Sequence, residues 1–251
     1  MDQCKTQKYV MWQYTDQPDA DIYFAYNKKM VQEINQFSAL QGRSGCAVAV
    51  GSARIEEIKN STNATFFNKG NKVITYALGL MYGEVNRSNW TDIQTFKTQS
   101  QIVESFAEFP EKQFVIKGLP ASDGSYNPLP DYLTDLNLTN CEYKTDRFPN
   151  YLEESNLFIF EMTSTAMFEA MVTEIPIIYY HSNGRPLPPH FELLKQRITI
   201  VENPIELKEA IINSPVKRAI SNEFLNKYML AEKSNCTLNA VNLIKSKINA
   251  R

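Results

Sequence analysis

The sequence predicts an α/β protein, in which a Rossmann-like parallel sheet has helices on both faces and follows a short α/β segment. Two observations lead to this fold class. Short apolar runs alternate with helical patterns along most of the chain, and the connections between them are rich in Gly, Pro, Ser and Asn. Strands that alternate with helices are joined by right-handed crossovers, so we expect their sheet to be parallel.

The N-terminal segment, residues 1–62, has the order strand, helix, strand, helix. Its predicted strands are Ile22–Tyr26 and Cys46–Val50, and its predicted helices are Asn27–Phe37 and Ala53–Lys59. The polar stretch Asn60–Asn71 then indicates a connection. We therefore expect residues 1–62 to be a partial α/β unit, as a linker or a remnant of an N-terminal half. Residues 71–251 would form the main nucleotide-binding domain, including the C-terminal helices.

Six strands are predicted in the main domain: Val73–Ala77, Gln113–Lys117, Asn140–Tyr143, Leu157–Phe160, Ile175–Tyr180 and Ile198–Val201. The predicted helices are Thr91–Phe109, Leu129–Leu138, Asp146–Glu154 (with Asp146 as its cap), Ser164–Val172 and further helices through Pro204–Ile248. Open parallel sheets bind ligands beyond the carboxyl ends of their strands, where the strand order reverses. The candidate loops therefore follow Ala77, Lys117, Phe160 and Tyr180.

Composition excludes several classes of function. The formal net charge is -2 and no long Lys/Arg run is present, which argues against nucleic acid as a partner. The four cysteines are scattered, so neither a zinc site nor a disulfide framework is expected. The N-terminal residues lack the apolar core of a signal peptide and no apolar run has membrane-spanning length, so we expect a cytoplasmic protein. Peripheral contact with a membrane stays open.

The turn Thr163-Ser164-Thr165 is the strongest candidate for a ligand site. It follows a buried strand and opens a helix, where free backbone N–H groups and the positive helix end favour phosphate oxygens. Glu169 lies about one turn further along the same helix face, where a carboxylate can accept hydrogen bonds from ribose hydroxyls. An ordinary Ser/Thr helix cap with a helix glutamate has the same pattern, and taken alone it is the more common case.

Two other segments carry candidate binding groups. Lys117 ends a predicted buried strand, so its ammonium group would meet a diphosphate or simply extend to water. Arg185 lies in a long polar, Pro-rich loop and suits a bidentate phosphate contact. His181 and His190 flank that arginine; proton transfer is one role for them, and a hydrogen-bonded loop residue is the favoured interpretation.

In this order, the motifs resemble the C-terminal, donor-binding half of GT-B glycosyltransferases of bacterial surface-polysaccharide and teichoic-acid synthesis. The matching segments are Ile116-Lys117-Gly118-Leu119-Pro120, Thr163-Ser164-Thr165 with Glu169-Ala170, Glu174 to Tyr180, Ala20 to Phe24, Val50 to Arg54 and Val201 to Leu207. The resemblance covers residues 19–248. It implies a nucleotide-activated sugar or polyol donor held by Lys117, Ser164, Thr165, Glu169 and Arg185, with a saccharide as acceptor. It implies no metal ion, because GT-B sites rely on helix ends and basic side chains instead. It implies no cofactor, because the nucleotide-activated donor is itself a substrate.

The chain departs from the family pattern in two ways. Leu119 stands where the family's Lys-x-His-Pro motif has histidine, which removes a side chain able to handle donor phosphate. The chain also has no room for the acceptor domain of a GT-B enzyme, so we expect a fragment, a homodimer or partner chain that supplies the rest, or an incomplete transferase. Two alternatives stay open. One is a nucleotide-sugar 2-epimerase, which Arg185-Pro186 faintly resembles, and the other is a binding or assembly module without catalysis.

Overall fold

In the computed structural model of the chain, the described residues are 22–40, 47–61, 73–79, 81, 91–119, 127–182, 191–213, 223–230 and 235–249. They belong to two compact units. The smaller unit contains residues 1–60 and 222–251, and the larger contains residues 61–221. The division expected from the sequence, at residues 62–71, differs from this one because it assigned the C-terminal helices to the main domain.

The elements have the following bounds. The strands are β1 (Tyr23–Ala25), β2 (Ala47–Ala49), β3 (Val73–Ala77), β4 (Gln113–Lys117), β5 (Cys141–Lys144), β6 (Ser155–Phe160), β7 (Ile177–Tyr180) and β8 (Thr199–Val201). The α-helices are α1 (Lys28–Leu40), α2 (Ala53–Ser61), α3 (Asp92–Ser105), α4 (Leu129–Leu136), α5 (Thr165–Met171), α6 (Phe191–Lys195), α7 (Pro204–Ile212), α8 (Glu223–Tyr228) and α9 (Cys236–Asn249). Short 3-10 helices span Phe106–Glu108 and Phe148–Tyr151.

The larger unit is built on a six-stranded sheet with the order β5-β4-β3-β6-β7-β8, and every pairing in it is parallel. The predicted parallel α/β fold class is therefore confirmed. Strands β3 and β4 have the bounds that the sequence predicts, because each is a buried apolar run with clear polar ends.

Apolar side chains cover the two faces of this sheet. Alternate strand residues such as Tyr76, Ile116 and Ile159 pack with Ile102 and Phe106, on the face covered by α3, α4 and α7. Phe158 and Phe160 form an aromatic group with Phe148, whose ring lies 5.2 Å from that of Phe158 and 5.8 Å from that of Phe160. Both kinds of contact remove large apolar surfaces from water, which is the main stabilisation of the unit.

Polar contacts define where some elements begin and end. Helix α3 starts with a capping box, in which the Thr91 hydroxyl accepts from the Gln94 N–H and the Gln94 side chain accepts from the Thr91 N–H. The guanidinium group of Arg197, which is fully buried, donates to the carbonyls of Thr173 and Ile175 at 2.7 Å each. These bonds hold the loop before β7 in place, since a buried carbonyl without a donor would cost stability.

The smaller unit contains a two-stranded parallel sheet of β1 and β2 with α1 packed against it. Helices α8 and α9 join this unit through hydrogen bonds. The Asn27 side chain donates to the Tyr228 carbonyl at 2.8 Å, and the Ser52 N–H donates to the Met229 carbonyl at 2.7 Å. The Glu56 carboxylate accepts from the first N–H of α9, at Cys236, at 2.6 Å.

Two local predictions differ from the structure. The helix predicted over Asp146–Glu154 is only the 3-10 helix Phe148–Tyr151, and Asp146 accepts from the Tyr151 hydroxyl at 3.3 Å instead of capping it. Pro149 supplies no N–H, and β6 already begins at Ser155, so no room remains for a longer helix. Helix α6 was not predicted at all.

Candidate functional site

The point where the strand order reverses lies between β3 and β6. From β3 the chain adds β4 and then β5 on one side, and it returns to place β6, β7 and β8 on the other. The crossovers before and after this reversal leave on opposite faces, which opens a crevice beyond the carboxyl ends of β3 and β6. In register, Ala77 of β3 lies between Lys117 of β4 and Phe160 of β6.

Lys117 is a buried lysine at this edge of the sheet. It is the last residue of β4, it is only 8% exposed, and its carbonyl accepts from the Leu78 N–H at 3.0 Å. Burial lowers the pKa of its ammonium group, and the nearby Asp146 carboxylate opposes that shift. No salt bridge to another described residue compensates this charge, so an anionic ligand would find a positive group there.

The residues after Lys117 show why this turn needs a glycine. A Cβ atom at Gly118 would lie 1.9 Å from the Tyr143 hydroxyl oxygen, so a side chain at this position would displace Tyr143. Burial raises the pKa of the Tyr143 phenol, so its hydroxyl keeps its proton near neutral pH. Leu119 follows and is exposed, with no group that can donate or accept a hydrogen bond.

The turn Thr163-Ser164-Thr165 follows β6 at the same edge. Ser164 has extended backbone angles, and its hydroxyl oxygen accepts from the Met167 N–H at 3.3 Å, which makes it the N-cap of α5. Thr163 is half-buried and Thr165, the first residue of the helix, is exposed. Glu169 is half-buried one turn further along. The capping role of Ser164 is thus present, and its hydroxyl hydrogen remains available as a donor.

The structure adds a residue to this edge that sequence reasoning missed. Glu161, directly after β6, is fully buried, and its Oε1 accepts from the Gly79 N–H and from the Gln99 side-chain amide, both at 2.7 Å. Gln99 also donates to the Gly79 carbonyl at 3.3 Å. The partners of Glu161 lie far away along the chain, so sequence reasoning could not find the contact. The only signal was a glutamate immediately after a buried apolar strand.

The end of β7 brings two more polar residues to this edge. His181 and Ser182 are both buried, and the His181 N–H donates to the Val201 carbonyl at 2.7 Å. The Ser182 hydroxyl makes no hydrogen bond to any described residue. Arg185 and His190 lie outside the described residues, so their predicted roles stay predictions.

The topology therefore brings most of the predicted site residues to one edge of one sheet. Lys117 on β4 and the turn after β6 lie on either side of β3, so their strand axes are about 10 Å apart. Within the residues that the structure describes, no group of His, Cys, Asp and Glu side chains could hold a metal ion. None of the described helices is both long enough and apolar enough to cross a membrane.

Comparison with known proteins gives a likeness in fold. No family model matches the chain, and no curated protein is similar to it in sequence. A putative UDP-N-acetylglucosamine 2-epimerase from Listeria monocytogenes superimposes with a TM-score of 0.56 at 14% identity, over 95% of this chain and 65% of that one. The S. aureus MnaA–UDP co-structure has a TM-score of 0.55 at 16% identity, over 92% and 60%.

A TarM structure is also among the matches. An S. aureus TarM variant, in complex with fondaparinux, α-GlcNAc-glycerol and UDP, has a TM-score of 0.51 at 13% identity, over 96% of this chain and 46% of that one. Identities this low establish the fold alone. The expected resemblance to a GT-B C-terminal-like domain is confirmed at that level, and the chain spans less than two thirds of the length of each of these structures.

Proposed function

We propose that this chain binds a nucleotide-activated sugar or polyol phosphate, as the donor-binding part of a GT-B glycosyltransferase that acts in polysaccharide synthesis. One observation carries the proposal. Two features flank β3 where the strand order reverses: the buried Lys117, which forms no salt bridge with a described residue, and the hydroxyl-rich turn 163–165. A single extended ligand lying across the end of β3 can contact both, and its negative charge would compensate the buried ammonium group.

Each predicted residue has a definite role in this scheme. The Lys117 ammonium group neutralises the donor phosphate and the charge that develops as the leaving group departs. Thr163, Ser164 and Thr165 supply hydroxyl donors, with Ser164 donating its hydrogen to the ligand while its oxygen caps α5. Glu169 accepts hydrogen bonds from the ribose hydroxyls, and Arg185 makes a second phosphate contact.

The saccharide acceptor needs a surface beyond this site. The chain spans 46–65% of the length of the solved structures described above, so it matches only part of each. We therefore infer that the acceptor-binding surface lies outside these residues, in the rest of a longer protein, in a second copy or in a partner chain. The catalytic base would also come from there.

A 2-epimerase is the second candidate. Two structures with a TM-score above 0.5 carry the name UDP-N-acetylglucosamine 2-epimerase, and a third is a co-structure of MnaA with UDP. An epimerase consumes its nucleotide sugar without an acceptor. Turnover of UDP-N-acetylglucosamine alone would therefore favour this candidate over a transferase.

A binding module without catalysis is the third candidate, and Leu119 favours it. The family pattern has histidine at this position, and an exposed leucine can neither donate a proton nor bind a phosphate. Such a module would bind nucleotide without turning over a nucleotide sugar.

Titration calorimetry with UDP, CDP, CMP, GDP and ADP tests the proposal. We expect one nucleotide to bind selectively, and Lys117→Ala, Ser164→Ala and Glu169→Ala each to weaken it by about tenfold, the loss of one charge-assisted or ribose hydrogen bond. Lys208→Ala is the matched control. Its ammonium group pairs with Glu108, which precedes the amino end of β4 and so lies at the opposite edge of the sheet.

The outcomes separate the candidates. Equal affinities for wild type, Lys117→Ala, Ser164→Ala and Glu169→Ala would mean that the site is wrongly placed. If no nucleotide binds, the donor-binding function itself is wrong for this chain. If nucleotide binds but UDP-N-acetylglucosamine is not consumed with or without a saccharide acceptor, the binding-module candidate is favoured.

A further inference from the structure

The two turns at the reversal of strand order use their backbone donors differently. In the turn after β3, the Gly79 N–H is bound by the protein's own Glu161 carboxylate at 2.7 Å. In the turn after β6, the Met167 N–H donates to the Ser164 hydroxyl oxygen at 3.3 Å, so a neutral oxygen accepts there in place of a carboxylate. Both turns lie where a phosphate of a bound nucleotide would be placed in this kind of fold.

The contact between Glu161 and Gly79 is closely fitted. A Cβ atom at position 79 would lie 2.9 Å from Glu161 Oε1 and 3.1 Å from Met162 Sδ, so only glycine leaves the carboxylate in place. Gln99, which is also fully buried, donates to the same oxygen at 2.7 Å and to the Gly79 carbonyl at 3.3 Å. Three elements are thereby joined: the loop after β3, helix α3 and the start of the turn after β6.

Joining two loops through a fully buried carboxyl group carries a cost in desolvation free energy. Removing it from water costs free energy unless the charge receives hydrogen bonds, and an apolar side chain would avoid that cost. Its chemistry matches that of an anionic ligand at a backbone N–H, since a carboxylate oxygen accepts there as a phosphate oxygen does. Glu161 therefore places a carboxyl oxygen at the Gly79 N–H, where a ligand phosphate oxygen would otherwise accept.

We propose that Glu161 is a positioning residue for the ligand site. Its Oε1 holds the turn after β3 against the turn after β6 and occupies the anion position of the first turn, so that ligand phosphate is directed to Lys117 and to residues 163–165. This inference rests on the proposed nucleotide-binding function. It concerns the spacing of the two turns, because Glu161 itself is buried and acts through Gly79 and Gln99.

The test compares Glu161→Ala, Glu161→Gln and Gly79→Ala with wild type. Hydrogen exchange of the residue 79 amide reports the contact, and calorimetry with UDP reports ligand binding. Glu161→Ala removes the acceptor, and Gly79→Ala displaces it through the Cβ atom. We expect either change to speed exchange at residue 79 by about tenfold or more. Both should also weaken UDP binding by about tenfold.

Glu161→Gln separates the hydrogen bond from the charge and preserves the shape of the side chain. Its amide oxygen can still accept from Gly79 and Gln99, so we expect exchange and UDP affinity within about threefold of wild type. Glu142→Ala is the control, because Glu142 is an exposed glutamate that pairs with Lys144 on β5. Gly79→Ala keeps the test decisive if Glu161→Ala does not fold.

The measurements distinguish failure of the proposed nucleotide-binding function from failure of the positioning role of Glu161. Wild-type protein that binds none of the nucleotides shows that the proposed function is wrong, and the positioning role falls with it. If wild type binds UDP and a folded Glu161→Ala or Gly79→Ala variant binds it equally well, the positioning role alone is overturned. Unchanged exchange at residue 79 in Glu161→Ala would overturn it as well, since the contact would then not hold the turn.

Discussion

The two parallel sheets of this protein differ in how far they are covered. In the six-stranded sheet, every residue of β7 and nearly every residue of β3, β4 and β6 is buried. In the two-stranded sheet, the cross-strand neighbours Phe24 and Val48 are 38% and 37% exposed, and the buried cluster of Ala25, Ile34 and Ala47 lies with α1. Parallel sheets are normally covered on both faces, and among the described residues the larger sheet is covered more fully than the smaller one.

The tighter packing of the six-stranded sheet makes its edge a better support for a ligand site than the two-stranded sheet. A sheet packed on both faces holds its strand ends rigidly, so polar groups at its carboxyl edge keep fixed spacings. Lys117 ends β4, Glu161 directly follows β6, and Ser164 caps the helix that comes next. A two-stranded sheet with an exposed apolar pair offers less packing per residue and contributes less to stability.

The largest difference between the sheets should appear when a core aromatic residue is truncated. Phe158→Ala removes a ring that is fully buried and packs against Phe148 and Phe160. We expect the free energy of unfolding to fall by about 3–5 kcal/mol, since a cavity replaces the ring. Urea unfolding followed by circular dichroism measures it. A loss below about 1 kcal/mol would contradict the tight packing of this face.

A smaller effect is expected at the edge of the same sheet. Ser164→Ala removes the side chain that caps α5 by accepting from Met167. The loss of one cap should lower the free energy of unfolding by about 1 kcal/mol. Thermal unfolding measures it, with Ser246→Ala on α9, which only bonds back to the Leu243 carbonyl, as the control. No change in melting temperature would mean that the cap contributes nothing.

A change of opposite sign, and smaller still, is expected at Lys117. Burial lowers the pKa of its ammonium group in the folded chain, so the unfolded chain holds the proton more tightly and the charged folded state is penalised at neutral pH. The penalty fades as pH rises through the folded pKa towards the ordinary lysine value. Lys117→Met should therefore be stabilising near pH 7, by an amount that shrinks at alkaline pH, while nucleotide affinity falls.

Urea unfolding at a series of pH values measures this stability difference. A variant that is less stable than wild type at pH 7 would show that Lys117 has a compensating partner, and the argument for an anionic ligand would then lose its basis. A Lys117→Met variant that is more stable but binds nucleotide more weakly would show that this sheet edge gains binding at the expense of stability.

The smallest effect should come from the two-stranded sheet. Phe24→Ser replaces a side chain that is already more than one third exposed, so we expect a change in the free energy of unfolding of no more than about 0.5 kcal/mol. The same urea titration as for Phe158→Ala makes the comparison direct. A loss as large as that of Phe158→Ala would mean that the exposed face of the small sheet is covered in solution.

The sequence predicted the described strands of both units, and the two helical segments where it failed lie in the larger unit. Strands β3 and β4 were predicted to the residue, because a buried apolar run between polar residues has a local signal. The helix predicted over residues 146–154 was wrong, because Pro149 supplies no N–H and β6 already begins at Ser155. Among the site residues, local patterns placed Lys117 at a strand end and Ser164 at the start of a helix.

By itself, the sequence determined the alternation of strands and helices, the parallel fold class and the presence of polar residues after β4 and β6, since all of these depend on neighbouring residues. Only the tertiary structure decided the strand order β5-β4-β3-β6-β7-β8, and with it the reversal point. It alone brought Glu161 to Gly79 and Gln99, which lie 82 and 62 positions away. Contacts at such separations depend on how the crossovers fold back over the sheet, and no short stretch of sequence records that choice.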